Sequence, residues 1–221
     1  MIISKMGSEH FLYNINNQDN AFIRAGLKVV CDGCSEGKAS EVGVKLFDLL
    51  FSPFRISQLT TKAYYLSEVF EDRLLTIIPN DAIIDYLLFT ILIVDPDNKD
   101  SFVVEYCGDG YVLLIDHNDK MTIKELEFGQ VNGNPIYYAY NFIPEDRLIG
   151  IKHDQCGINR LEFPKSEYKN VGVASDGLRY IFGTEFEQEF RDLIVKGNEI
   201  GIKRLINKHQ NSFHDDISIA L

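Results

Sequence analysis

Apolar and polar positions along the chain fall into two kinds of pattern. Short runs, alternating or fully apolar and bounded by turn residues, cover Ala21–Arg24, Lys28–Cys31, Leu87–Val94, Phe102–Cys107, Tyr111–Asp116, Met121–Phe128, Tyr137–Phe142, Val171–Ser175 and Ile217–Leu221. These predict strands. Helical spacing shows instead at Val42, Leu46, Leu49 and Leu50, at Ala63, Ser67, Phe70, Leu74 and Ile77, and at Phe186, Phe190, Leu193 and Ile194. An early hairpin is thus followed by two helices, a block of strands, further helices and a last strand. That order predicts an α+β sandwich rather than a strictly alternating parallel sheet.

No low-complexity linker, solenoid-length repeat or shift of composition divides the chain, so residues 1–221 are expected to form a single domain. The segment from Gly129 to Lys169, which holds Pro135, Pro144 and Pro164, is the least regular. It is either an excursion near a site or a decorated hairpin.

Composition narrows the class. A hydrophobic content of 45% with 25% charged residues is ordinary for a folded globular chain. The formal net charge of -11 comes from 22 basic and 33 acidic residues, and no stretch concentrates Lys and Arg, which disfavours nucleic acid as a partner. An acidic chain remains suited to collecting cations. The opening MIISKMGSEH lacks the apolar core of a signal peptide, and Ile83–Val94 is too short to span a bilayer and is interrupted by Asp85. A cytoplasmic protein with no membrane partner is expected. Its four cysteines, at 31, 34, 107 and 156, are then expected as reduced thiols.

The candidate chemistry lies where apolar runs end. VVCDG (29–33), VEYCGDG (104–110) and VGVASDG (171–177) each run into Asp-Gly, Asp215-Asp216 precede the closing ISIAL, and Asp19 precedes the Ala21–Arg24 run. Asp109-Gly110 is flanked by two apolar runs and also fits a two-residue hairpin turn. Asp32-Gly33 and Asp176-Gly177 lead into helical patterns, which a hairpin does not explain. If these strands lie side by side, several carboxylates meet at one rim and repel each other unless protons or cations intervene. Oxygen donors without convergent histidines select hard ions such as Mg²⁺ or Mn²⁺. Two such ions lower the pKa of a shared water from ~16 toward ~7 and orient it for attack on phosphorus.

Other readings of VVCDGCSEGK are weaker. A P-loop needs one more residue between Gly33 and Gly37, and Ala39 stands where its hydroxyl belongs. A redox C-x-x-C is disfavoured by the aspartate between Cys31 and Cys34, which raises thiol pKa values. A zinc site would need Cys107, or His153 with Cys156, at a spacing that matches no common finger. Cys31 reads more simply as a small core residue. Tyr64, Tyr65 and Phe70 at helical spacing read as core. His214 is either a loop residue or a group beside the acidic rim.

Taken in order, Asn17-Gln18-Asp19, Cys31-Asp32-Gly33, Thr90, Cys107-Gly108-Asp109-Gly110, Ala174-Ser175-Asp176-Gly177 and Asp215-Asp216-Ile217-Ser218-Ile219 resemble the signature of the metal-dependent type 2C protein serine/threonine phosphatases, in a divergent, bacterial-like form. The resemblance spans about residue 7 to 221. It implies a four-layer αββα sandwich, two central antiparallel sheets flanked by helices, with two Mg²⁺ or Mn²⁺ ions at one end. By the same resemblance Asp32 bridges the metals with the Gly33 carbonyl beside it, Asp176 and Asp215 are terminal ligands, Asp109 helps hold a third, looser ion, Asp19 belongs to the outer network, and Thr90 supports the site by hydrogen bonding. The implied partners are a phosphoprotein substrate and a cognate kinase.

The chain also departs from that pattern. Asn14 stands where the family often carries a phosphate-gripping arginine, with Arg24 and Lys28 as candidates to replace it; Cys34 stands at the position of a histidine in many eukaryotic members; Gln18 stands where an acidic residue is common. These departures keep open a second reading, a phosphatase-fold binding module that docks a kinase or phosphoprotein without efficient turnover. A thiol-based redox protein is a third.

Overall fold

The strands of the computed structural model pair entirely antiparallel, and the register of that pairing explains where the acidic residues end up. It describes residues 1–24, 26–51, 73–96, 98–126, 135–148, 150–152 and 156–221. In chain order the strands are β1 (Ile2–Lys5), β2 (Asn20–Arg24), β3 (Leu27–Gly33), β4 (Phe89–Asp95), β5 (Ser101–Cys107), β6 (Gly110–Asp116), β7 (Met121–Leu126), β8 (Asn159–Pro164), β9 (Tyr168–Ala174) and β10 (Ile217–Ala220). One five-stranded sheet runs β2-β3-β4-β5-β8 and the other β1-β10-β9-β6-β7. The helices are α1 (Ser8–Tyr13), α2 (Ser40–Phe51), α3 (Ile83–Leu87), α4 (Glu187–Val195) and α5 (Glu199–Lys208).

Both faces of each sheet are apolar, so each strand feeds two cores by alternation. On β3, Leu27, Val29 and Cys31 point to a cluster with Val44 and Phe47 of α2, whereas Val30 joins Leu92, Val104, Val112, Leu114, Val171 and Val173 between the sheets. On the far side, Leu113, Ile115, Ile217 and Ile219 pack on Phe190 and Ile194 of α4 and Ile202, Leu205 and Ile206 of α5. Helix, sheet, sheet, helix is the result, the expected αββα sandwich.

Burial on both faces explains why FTILIVD and SFVVEYC are nearly continuous apolar runs. Edge strands are different. β1 is short and β8, at NRLEFP, is largely polar, so neither has a strong apolar signature, and both went unread in the sequence. The short helix α3 takes Leu87 away from its expected strand, which starts instead at Phe89. Met121–Leu126 is strand, and residues 127 and 128 lie outside the described set.

Tyr137–Phe142 is not a strand. Tyr138–Phe142 forms a 3-10 helix, because its aromatic rings satisfy each other at helical spacing: Tyr137 meets Tyr140 at 5.8 Å and Tyr138 meets Phe142 at 5.0 Å between centroids. Tyr138 is buried against Phe47 and Phe89. The described part of 129–169 therefore covers one wall of the first sheet and then supplies its edge strand β8, more excursion than hairpin. Ala63, Tyr64, Tyr65, Ser67 and Phe70 lie outside the described residues; of the same helical pattern, Leu74 is fully buried while Ile77 is exposed.

The hairpin reading of Asp109-Gly110 is excluded, since β5 and β6 belong to different sheets. The turn between them crosses the sandwich. It needs glycine at 108, where φ is +96° and a Cβ would stand 2.4 Å from Thr90 Cγ2. Among the described residues, no helix is long and apolar enough to cross a membrane.

Candidate metal centre

Antiparallel register brings the end of β3, the end of β9, the β5–β6 crossing, and the starts of β2 and β10 to the same end of the sandwich. There a cavity of about 550 Å³ is lined by Asp32, Gly33, Cys34, Thr90, Asp109, Asp176, Arg179 and Asp215, with Glu36, Glu125 and Tyr137 among its walls. Asp32, Gly33, Asp109, Asp176 and Asp215 are thus brought together from four separate places in the chain. Asp19, 5% exposed, lies behind them.

Alternation on β3 explains Asp32. It shares the inter-sheet face with Val30, but at the strand's last turn that face opens to the cavity, and its cross-strand partner is Thr90. The Asp176 backbone N–H reaches Asp32 Oδ2 at 3.4 Å, where β9 turns into a 3-10 helix over Asp176–Ile181. That turn requires glycine at 177, because a Cβ there would stand 1.9 Å from the Asp216 carbonyl oxygen.

The two adjacent aspartates before β10 separate sharply. Asp215 has a half-exposed side chain at the cavity. Asp216 is buried and accepts from the backbone N–H groups of Gly7 (2.8 Å) and Gln18 (2.6 Å), with His10 Nδ1 at 2.9 Å from its Oδ2. Gln18 links the rim to the loop before α2: its Nε2 donates to Ser40 Oγ (3.0 Å) and its Oε1 accepts from Ser35 Oγ (2.7 Å). An amide can do both, which a carboxylate at this position could not.

Electrostatics mark the cluster as short of positive charge. Burial pushes the Asp32 carboxyl well above the usual carboxylate range, and Asp19, Asp109 and Asp215 add to it. Burial, then Asp216, pushes Asp19 up to about 8. Asp109 is raised too, again mainly by burial. Asp19 and Asp32 are close enough to hydrogen-bond, a contact between two carboxyls that needs a shared proton unless a cation replaces it. Among the described residues, Asp19 Oδ2 and Thr90 Oγ1 are buried without a partner. Thr90 lines the cavity with that hydroxyl buried, and among the described residues the hydrogen bond expected of it is not made. Oxygen-only donors, an orphaned buried carboxylate oxygen and mutual repulsion fit a hard divalent cation.

The same donors do not form a finished cage. Among the described residues no three His, Cys, Asp or Glu side chains close around one point. Asp176 Oδ2 is paired with Arg179 Nη2, and Asp215 Oδ1 accepts from the Asp216 N–H (2.8 Å).

Several expectations are settled by placement. Arg24 pairs with Asp48 (3.1 Å), and Lys28 donates to Asn170 Oδ1 and the Val171 carbonyl at the opposite end of β3, so neither reaches the cavity. Asn14 caps α1 in the left-handed conformation. All four cysteines are free; Cys31 is buried under α2 with its thiol pushed well up by burial, whereas Cys34 lines the cavity. Both touch the apolar cluster under α2. His153 lies outside the described residues. His214 turns to Glu9 (3.3 Å) and Tyr180, and it is His10, on α1 near the start of the chain, that lies behind the rim. Arg179 was also missed. Its signal was the basic residue three positions after Asp176.

No family model matches the chain, and no curated protein matches it by sequence. Solved structures do match in fold. A bacterial serine phosphatase superposes with a TM-score of 0.62 at 18% identity, covering 100% of this chain and 95% of that one. The PPM Ser-Thr phosphatase MsPP from Mycobacterium smegmatis, in complex with cacodylate, gives 0.58 at 15% identity, with 100% and 95% covered. The catalytic domain of the serine threonine protein phosphatase PstP, in complex with two manganese ions, gives 0.53 at 12%, again with 100% and 95% covered. The chain has the fold of the bacterial PPM-type Ser/Thr phosphatases.

Proposed function

We propose that the chain is a single-domain, metal-dependent protein phosphatase that hydrolyses phosphoserine or phosphothreonine in a cytoplasmic phosphoprotein. The observation that carries this reading is the convergence of Asp32, Asp109, Asp176 and Asp215 on one cavity at the sandwich end, with the orphaned Asp19 oxygen behind it. The manganese in PstP supports the choice of ion.

Asp32, the Gly33 carbonyl, Asp176 and Asp215 would hold two Mg²⁺ or Mn²⁺ ions, with Asp19 behind them and Asp109 toward a third, weaker one. When bound, the ions supply a water of lowered pKa and positive charge against the phosphoryl oxygens. The chain's own part is positional. Asp32, on a strand end paired to β4, is fixed by the sheet opposite Thr90, and Tyr137 and Asp109 of the β5–β6 crossing line the cavity beside it. Among the described residues no histidine lines the cavity, and the Cys34 thiol that does is a poor replacement for an imidazolium acid, which leaves that proton to water.

Purified protein with Mn²⁺ should release phosphate from para-nitrophenyl phosphate and from a phosphothreonine peptide, and Asp32→Ala or Asp215→Ala should lower the rate at least about 100-fold. Undiminished turnover in both variants would end the assignment. A second reading, a binding module that docks a kinase or phosphoprotein without efficient turnover, is favoured by one observation, the Asp176 carboxylate held by Arg179 in an unclosed donor set. Tight phosphopeptide binding with no phosphate release would establish it.

A further inference from the structure

We propose that Arg179 is the phosphate clamp of this cavity, the guanidinium that receives the phosphoryl dianion of the substrate. This deepens the hydrolase reading and rests on it for the location of the substrate.

The case begins with charge. A phosphomonoester carries about two negative charges near neutral pH, and the cavity it would enter is walled by Asp32, Asp109, Asp176, Asp215, Glu36 and Glu125. Against these, Arg179 is the one Lys or Arg side chain lining the cavity among the described residues. Lys38, five residues past Gly33, is paired with Asp85 (3.2 Å).

Geometry comes next. Arg179 sits in the last turn of the 3-10 helix that follows β9, and two of its nitrogens are tied to one residue, Nε to the Asp176 carbonyl (3.1 Å) and Nη2 to Asp176 Oδ2. Those contacts hold the guanidinium plane at the cavity. Nη1 has no partner among the described residues, and the side chain is 50% exposed. An ion pair this open contributes little to stability, so a purely structural role does not account for the placement. A planar fork with free N–H groups, anchored at the wall of the cavity, matches two phosphoryl oxygens at once, which an ammonium cannot do.

The test compares wild type with Arg179→Gln and Arg179→Lys at saturating Mn²⁺, after melting curves confirm that all three fold. For a phosphothreonine peptide, Gln should raise KM about 10- to 100-fold, the loss of charged hydrogen bonds, and should weaken competitive inhibition by inorganic phosphate by a similar factor. Lys should recover part of both. The Mn²⁺ dissociation constant, measured by calorimetry without substrate, should not rise. Weaker Mn²⁺ binding and lower kcat with unchanged KM and phosphate inhibition would show that Arg179 only positions Asp176, and would overturn the clamp while keeping the hydrolase. If wild type shows no turnover, peptide binding is read by calorimetry instead. Binding lost in Arg179→Gln then keeps the clamp and overturns the hydrolase; binding unaffected by it overturns both.

Discussion

Asp215 and Asp216 are neighbours of the same chemistry, and their surroundings give them opposite work. Asp216 ties the segments at Gly7 and Gln18 together through its two oxygens, with His10 Nδ1 2.9 Å from Oδ2. Asp215 contributes to the cavity and to one local turn. In metal-free protein, Asp216→Ala should therefore cost about 3 kcal/mol, by stranding two buried N–H donors. Asp215→Ala should change metal-free stability by less than about 1 kcal/mol yet abolish Mn²⁺-dependent turnover. Urea unfolding in the presence of a chelator measures the first, and phosphate release the second. Equal destabilisation by both substitutions would mean the structural division between them is wrong.

At the scale of elements, the site depends on how closely strand ends and the turns that follow them can approach. Gly177 lets the turn after β9 lie directly on the start of β10, and an alanine would force backbone apart from backbone. Gly177→Ala is expected to destabilise by about 1–3 kcal/mol and to reduce turnover further by separating Asp176 from Asp215, outcomes read from urea melts and initial rates; a fully active, fully stable variant would contradict the contact. Such close approaches are also where the chain was most legible. Central strands carry their own signature because both faces are buried, and Asp-Gly at three strand ends marked the rim before any geometry was known. Edge strands were not legible, because half their environment is solvent and NRLEFP looks like loop. The Tyr137–Phe142 run misled because aromatic residues suit strands and helical turns alike until partners are known. Arg24 and Lys28 could not be placed from spacing, since which end of a strand faces the cavity is decided by pairing. His10 is three residues past a glycine with no apolar pattern of its own; only its contact with Asp216, more than 200 residues away, gives it meaning.

The whole molecule carries a net charge of -11, and its folded state concentrates part of that excess in one water-poor place. This makes stability, protons and metal a single linked system. Asp19 ionises near 3.8 when unperturbed and is pushed up to about 8 in the fold, with Asp32 moved in the same direction. Between those limits the folded protein holds protons that the unfolded chain has released, so without metal its stability must fall as pH rises. The buried Lys28, lowered to about 8, works the other way, but its contribution grows only above that value. A divalent cation replaces the protons on the carboxylates, which predicts that Mn²⁺ binds more tightly as pH rises from about 5 to about 8 and releases protons as it does so. In chelator the melting temperature should drop across that interval, by about 2–4 °C for each kcal/mol lost in a domain of this size. Saturating Mn²⁺ should remove the drop, and Asp32→Asn should reduce it in chelator by Asp32's share, leaving that of Asp19. A melting temperature in chelator that holds steady or rises between those pH values, together with Mn²⁺ affinity independent of pH, would show that the buried carboxylates are not competing for protons and that the cation this cluster is short of is not a divalent metal.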